Sequence, residues 1–236
     1  MNELAETQPA MHDNLLLPEG VLFDMDGTLT DSEQLWYQAQ AEVLADLGVA
    51  WSRDDQKMVI GLDIVDGSRK ALAYYGIQAD AEQMGHAIVD RVIELAAERG
   101  VPWRPGAVEL LGWLVEHRVP SALVTSSYRP FATMVANKAP KGSLEVLVTG
   151  DIVPRPKPNP DPYRMAAELL GKPSHACVAF EDSIFGVQSA HDSGAITVAV
   201  PFQVEIPQQE GVVFLDSLEH ADAQFFDRLM RAHRFM

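Results

Sequence analysis

The sequence predicts an α/β protein: a parallel sheet covered on both faces by helices, a three-layer α/β/α core, with an all-helical block inserted after the first strand. Two observations carry this expectation. Short β-rich apolar runs alternate with helical patterns through most of the chain, and such alternation implies parallel strands joined by crossover helices. Residues Glu33–Gly100 interrupt it, with no convincing strand and at least three helical patterns, so they read as a separate small domain.

Taken in order, residues 1–17 are acidic and lack a basic leader-like start, so they read as a disordered or loosely docked tail. The first strand is Val21–Asp24. Within the insert, Leu35, Ala39, Val43 and Leu47 repeat at helical spacing, and Met84, Ile88, Val92 and Leu95 form a second stripe. Thr28–Ser32 and the proline-rich Gly100–Pro105 are its two connections. A helix over Gly106–His117 precedes the second strand, Ser121–Thr125, and one over Pro130–Lys138 follows it. The third strand, Leu144–Thr149, leads to a helix over Asp161–Leu170, with Asp161 as N-cap, Pro162 at the first helical position and Gly171 as the stop. Ala176–Phe180 is the fourth strand, Ile184–Ser193 its helix, and Ala195–Val200 the fifth strand. The expected organisation is a tail at 1–17, a core at 18–31 and 101–236, and a helical domain at 32–100.

Composition excludes whole classes of function. The chain has 236 residues, 47% of them hydrophobic, enough for a sizeable core. With 18 Lys and Arg against 34 Asp and Glu, its net charge of −16 repels nucleic acid and anionic membranes, and neither is expected as a partner. The single cysteine, Cys177, sits in the apolar run "ACVAF", reads as core filler and permits no internal disulfide. A cytoplasmic protein, monomeric by preference, is the expectation.

In an open parallel sheet, ligands bind beyond the carboxyl ends of the strands. The first strand delivers Asp24 and Asp26 there, the second Thr125, Ser126 and Ser127, and the fourth Glu181 and Asp182; the loop after the third brings Lys157. Four carboxylates together demand a cation, and oxygen-only ligands favour magnesium. Hydroxyls and N–H groups at a helix start, with a lysine, favour an anion such as phosphate. The rim therefore reads as a site for magnesium-dependent phosphoryl transfer.

"DMDGT", "LVTSS", Lys157 and "FEDS" resemble the four ordered motifs of the haloacid dehalogenase superfamily, over roughly residues 18–216. The helical insert after the first motif resembles the caps of its β-phosphoglucomutase-like branch. The resemblance implies a Rossmann-like core with a cap, and a phosphatase acting on a small phosphorylated metabolite, with a sugar or polyol phosphate favoured. It implies roles too: Asp24 as nucleophile forming an aspartyl-phosphate, and Asp26 as general acid and then base. Asp24, the Asp26 backbone carbonyl and Asp182 would bind Mg2+, with Glu181 supporting the ion directly or through water. Thr125 and Lys157 would hold the phosphoryl oxygens, assisted by the N–H groups of Met25 and Ser126.

A calcium loop needs a further liganding side chain before the glycine and a glutamate at the twelfth position, which here is Leu35. Asp31 and Ser32 with Gln34 read as a cap for the first insert helix. The tryptophans read as packing, with Trp36 and Trp51 near the cap mouth as exceptions. Pro156 stands where many relatives have glycine. A hexose phosphate mutase is the rival enzyme, and a catalytically silent phosphometabolite-binding regulator the rival from another class. Mutase relatives carry a cap histidine and a cap arginine; the matching positions here are Trp36 and Ile64, with Arg69 nearby, which favours hydrolysis.

Overall fold

The computed structural model describes residues 15–59 and 62–233. The tail expected at 1–17 lies outside them except for its last residues: the Leu16 N–H donates to Asp227 at 2.9 Å and Leu17 packs on the core. β1 (Gly20–Phe23) is followed by α1 (Glu33–Ala45), the single turn α2 (Arg53–Gln56), α3 (Ile64–Tyr75) and α4 (Ala81–Arg99). Then come α5 (Ala107–Glu116), β2 (Ser121–Val124), α6 (Arg129–Lys138), β3 (Val146–Val148) and α7 (Asp161–Leu169). The chain continues through β4 (Cys177–Glu181), α8 (Ile184–Asp192), β5 (Ile196–Ala199), β6 (Val212–Phe214) and α9 (Ala223–His233).

All strand pairs are parallel, in the order β3-β2-β1-β4-β5-β6. Side chains of a strand alternate between faces. Accordingly Val21 and Phe23 enter the larger apolar cluster, while Leu22 joins Ala122, Val124 and Ala179 on the other face. Both faces being covered, the central strands are continuous apolar runs rather than alternating ones. The stacking of Phe23 on Phe180, centroids 5.3 Å apart, fastens β1 to β4 just below the rim.

The helices α1, α3 and α4 pack on one another as the cap. Its two connections bond to each other: the Asp31 N–H donates to Pro102 O and the Arg104 N–H to Leu29 O, both at 2.8 Å. Asp63 and Asp80 cap α3 and α4 by accepting backbone N–H bonds. No described helix is long and apolar enough to cross a membrane.

Several expectations need correction. β6 is an additional edge strand. β3 starts at Val146 because Leu144 adopts a φ of +50°, outside extended geometry. Leu47 falls beyond the end of α1 and is exposed. Pro160, not Asp161, occupies the N-cap of α7, and the Asp161 carboxylate is instead held by Arg155 at 2.6 and 2.8 Å.

Candidate active site

The parallel register brings the ends of β1, β2 and β4 side by side. Phe23 faces both Leu123 and Phe180, so Asp24, Val124 and Glu181 follow at one level. Lys157 reaches into this rim from the loop after β3. Its Nζ donates to Asp24 Oδ1 at 2.7 Å, Glu181 Oε1 at 2.7 Å and Val124 O at 2.9 Å, three acceptors for its three protons.

Glu181 is wholly buried and fully engaged. Its Oε1 also accepts from the Tyr163 hydroxyl at 2.9 Å. Its Oε2 accepts from the Asp182 and Ser183 N–H groups and the Ser183 hydroxyl, at 3.0, 3.2 and 3.0 Å. Glycine is required at the start of α8, since a Cβ on Gly186 would overlap the Glu181 carboxylate. Gly27 is fixed in the same way, by φ of +97° and by the Asp182 carboxylate.

Asp24 differs from Glu181 in one respect. Its Oδ1 belongs to Lys157, but its Oδ2 is buried with no hydrogen-bond partner. Asp24, Glu181 and Asp182 each offer a ligand oxygen, all within 4.8 Å of one another. Without a cation Asp24 and Asp182 resist ionisation. Burial first, then Glu181 and Asp26, push Asp24 up to about 7 despite the opposing Lys157. Burial, Asp24 and Glu181 push Asp182 up to about 9. Burial pulls Lys157 the other way, but Asp24 and Glu181 outweigh it and leave the ammonium firmly charged. An orphaned oxygen among three clustered carboxylates, with Asp24 and Asp182 both pushed up, fits a hard divalent cation. Glu181 is the weakest candidate ligand of the three, because an ion must compete with the five bonds it already accepts.

Asp26 lies above this cluster in a cage of neutral donors. Its Oδ2 accepts from Ser127 at 2.6 Å and from Thr125 at 3.4 Å; its Oδ1 accepts from the Trp36 indole N–H at 3.1 Å and from Ser32 Oγ. Ser32 therefore spends its hydroxyl on Asp26 and caps nothing, although it occupies the N-cap of α1. Trp36, with its edge against Phe131, acts as a hydrogen-bond donor from the cap as well as a packing residue. The N–H groups of Met25 and Ser126 make no hydrogen bond among the described residues and stay available to an anion.

Sequence reasoning passed over Tyr163, Ser127 as a partner of Asp26, and Arg104, whose guanidinium donates to Gly27 O and lies 4.2 Å from the Phe202 ring. Arg69, near the expected cap cation, is exposed, pairs with Asp66 and does not line the cavity. That cavity, about 350 Å³, runs from Asp24, Asp26 and Lys157 up between α1, α3 and α4.

The haloacid dehalogenase-like hydrolase family matches residues 21–200. The chain belongs to that family. Hexitol phosphatase A of Escherichia coli is 34% identical over 208 residues, covering 85% of this chain and 92% of the relative. The crystal structure of CbbY from Rhodobacter sphaeroides in complex with xylulose-(1,5)bisphosphate is 27% identical with a TM-score of 0.75, covering 86% and 96% of the two chains. β-Phosphoglucomutase from Clostridium difficile, at 15% identity, shares the fold alone, with a TM-score of 0.77 over 93% of this chain and all of that one. The capped core thus follows the β-phosphoglucomutase-like branch.

Proposed function

We propose that this haloacid dehalogenase-like hydrolase is a magnesium-dependent phosphatase that removes phosphate from a small metabolite, a sugar or polyol phosphate, through an aspartyl-phosphate on Asp24. The observation that carries the reading is the division of labour within Asp24. One oxygen is fixed by Lys157, and the other is buried without a partner at the head of the cavity.

In the first step a carboxylate oxygen of Asp24 attacks phosphorus, and the bond from phosphorus to the ester oxygen breaks. Asp26 gives its proton to the departing alkoxide. In the second step the Asp26 carboxylate takes a proton from water, which attacks phosphorus and releases phosphate, returning Asp24 as a carboxylate. Lys157, Thr125 and the Met25 and Ser126 N–H groups hold the phosphoryl oxygens, which carry the developing charge. Mg2+ bound by Asp24, the Asp26 backbone carbonyl and Asp182 would neutralise the rim and polarise those oxygens. Ser32, Ser127 and Trp36 aim Asp26. The name of hexitol phosphatase A supports a polyol phosphate as substrate. The mutase reading lacks a cap cation: Trp36 and Ile64 line the cavity, and Lys157 is the single cation among its described lining residues. Cys177, buried and unpaired with another cysteine, accords with a cytoplasmic enzyme.

The test is hydrolysis of p-nitrophenyl phosphate with and without Mg2+ by the native chain and by Asp24→Asn. Magnesium-dependent release of phosphate that falls to background in a folded D24N protein is expected. Near-native turnover in that variant removes Asp24 as the nucleophile. No turnover in the native chain favours the silent, binding-only alternative.

A further inference from the structure

The part of the cavity inside the cap has a chemistry of its own. Its walls are apolar, with Leu44, Met84 and Ile88 among them. Three neutral polar residues interrupt the walls, all of them buried: Gln40, Gln56 and Ser68. Gln40 spends its amide oxygen on the Trp51 indole at 3.3 Å, and Gln56 spends its own on Arg53 at 3.3 Å. Their amide NH2 groups make no hydrogen bond among the described residues, and the Ser68 hydroxyl is buried with no partner. A buried hydroxyl is ordinarily satisfied, so the orphaned Ser68 Oγ, sharing one chamber with two amides whose NH2 groups are uncommitted, requires an explanation.

Charge narrows the occupant. The cap contributes no cation to the described lining, while Asp31, Glu33 and Asp63 line the cavity with negative charge. Arg53, the cationic neighbour of Gln56, is held by Gln34 and Glu33 and lies over the Tyr37 ring. A second phosphate or a carboxylate inside the cap would be desolvated without a counter-charge.

We propose that Gln40, Gln56 and Ser68 form a subsite for the neutral, hydroxyl-bearing body of a monophosphate, and that it rejects bisphosphates and phosphorylated acids. This rests on the phosphatase reading for the position of the phosphate. The two amide NH2 groups donate to substrate oxygens, the Ser68 hydroxyl exchanges a bond with one of them, and the apolar walls take the C–H faces.

Binding is measured by calorimetry on the Asp24→Asn chain with Mg2+, so that affinity is read without turnover. The probes are glucitol 6-phosphate, 6-phosphogluconate, fructose 1,6-bisphosphate and inorganic phosphate. Glucitol 6-phosphate is expected to bind at least about 100-fold more tightly than either multiply charged probe, since neither finds a counter-charge in the cap. Adding Gln56→Met should cost glucitol 6-phosphate about 10-fold more in Kd than it costs inorganic phosphate, the effect of one neutral hydrogen bond. Gln56→Lys, which places a cation in the chamber, should narrow the preference over fructose 1,6-bisphosphate at least about 10-fold. Equal or tighter binding of the bisphosphate by the unmodified chamber overturns the subsite, as does an equal Gln56→Met penalty for inorganic phosphate. Failure of the phosphatase reading is separate: it shows as absent hydrolysis in the native chain, whatever the binding preference.

Discussion

The rim and the cap chamber lie in the same cavity and obey opposite rules. At the rim, charges are buried in contact: Lys157 against Asp24 and Glu181, with Asp182 beside them. In the chamber no cation lines the described walls, the polar groups among the apolar side chains are the neutral Gln40, Gln56 and Ser68, and the Ser68 hydroxyl has no partner. A buried charge that loses its partner is strongly unfavourable, whereas a neutral amide that loses one costs far less. The rim is thus intolerant of change, as suits one invariant reaction on phosphorus. The chamber can be altered in small increments, as suits a surface that chooses among alcohols.

The largest expected effect breaks the rim. Lys157→Ala leaves Asp24 and Glu181 uncompensated, so kcat/KM should fall at least about 10³-fold, and stability by about 3–5 kcal/mol. Lys138→Ala and Lys141→Ala, both at exposed positions, should be near neutral in denaturant unfolding and in turnover. Native stability in Lys157→Ala contradicts the idea that the rim's charges depend on one another.

Asp26 joins the two regions, since its cage draws on the core through Thr125 and Ser127 and on the cap side through Ser32 and Trp36. Asp26→Asn should lower kcat by about 10²–10⁴-fold for an alkyl phosphate, the usual value of general acid–base help. The loss should shrink for p-nitrophenyl phosphate, whose leaving group needs little protonation. An identical loss for both substrates assigns Asp26 some other part.

The same contrast governs what was legible in the sequence. Asp24, Asp26, Thr125, Glu181 and Asp182 stand at or just after strand ends, so locating the apolar runs located them. Lys157 could be placed by its loop. The sheet order requires no more than these strands, apart from β6, whose three residues are only half-buried and give a weak apolar signal. Ser32 misled because an N-cap residue and an acceptor-facing hydroxyl share one sequence pattern, and only the folded approach of Asp26 separates them. Tyr163 and the trio of Gln40, Gln56 and Ser68 were unreadable. Each lies on a helical stretch whose periodicity says which face is buried but not what that face meets: Tyr163 meets Glu181 at the end of β4, and the trio reach one cavity from three separate helices.

Removing the metal probes the rim by stability alone. In the ion-free protein Asp24 is raised to about 7 and Asp182 to about 9, both above the ordinary value near 3.9 for an unfolded aspartate. Between those limits the native state binds more protons than the unfolded state. Stability from these groups is therefore full below about pH 4, declines as pH rises through the folded values, and is lost above about 9. Mg2+ held by the ionised carboxylates, as proposed, would offset that loss. Saturating Mg2+ should raise Tm by about 5–10 °C at pH 8.5, and by clearly less at pH 5. A magnesium effect that grows toward acid pH reverses the sign and excludes these carboxylates as ligands.

The smallest effect sharpens the comparison, because it asks whether the cap takes part in chemistry at all. Trp36→Phe keeps an aromatic edge toward Phe131 but deletes the N–H that donates to Asp26 Oδ1 at 3.1 Å. A hydrogen bond to a carboxylate is worth about 1.5 kcal/mol, or roughly 10-fold. If Trp36 only shapes the cavity, the loss should fall on KM and be similar for alkyl and aryl phosphates. If the indole positions the proton donor, the loss should fall on kcat, be largest for alkyl phosphates and vanish in an Asp26→Asn background. The second pattern is expected, since Trp36 reaches the carboxylate proposed to handle the proton and only its ring packs elsewhere. Additive losses in the double variant would return Trp36 to the chamber wall and leave the rim's chemistry to the core alone.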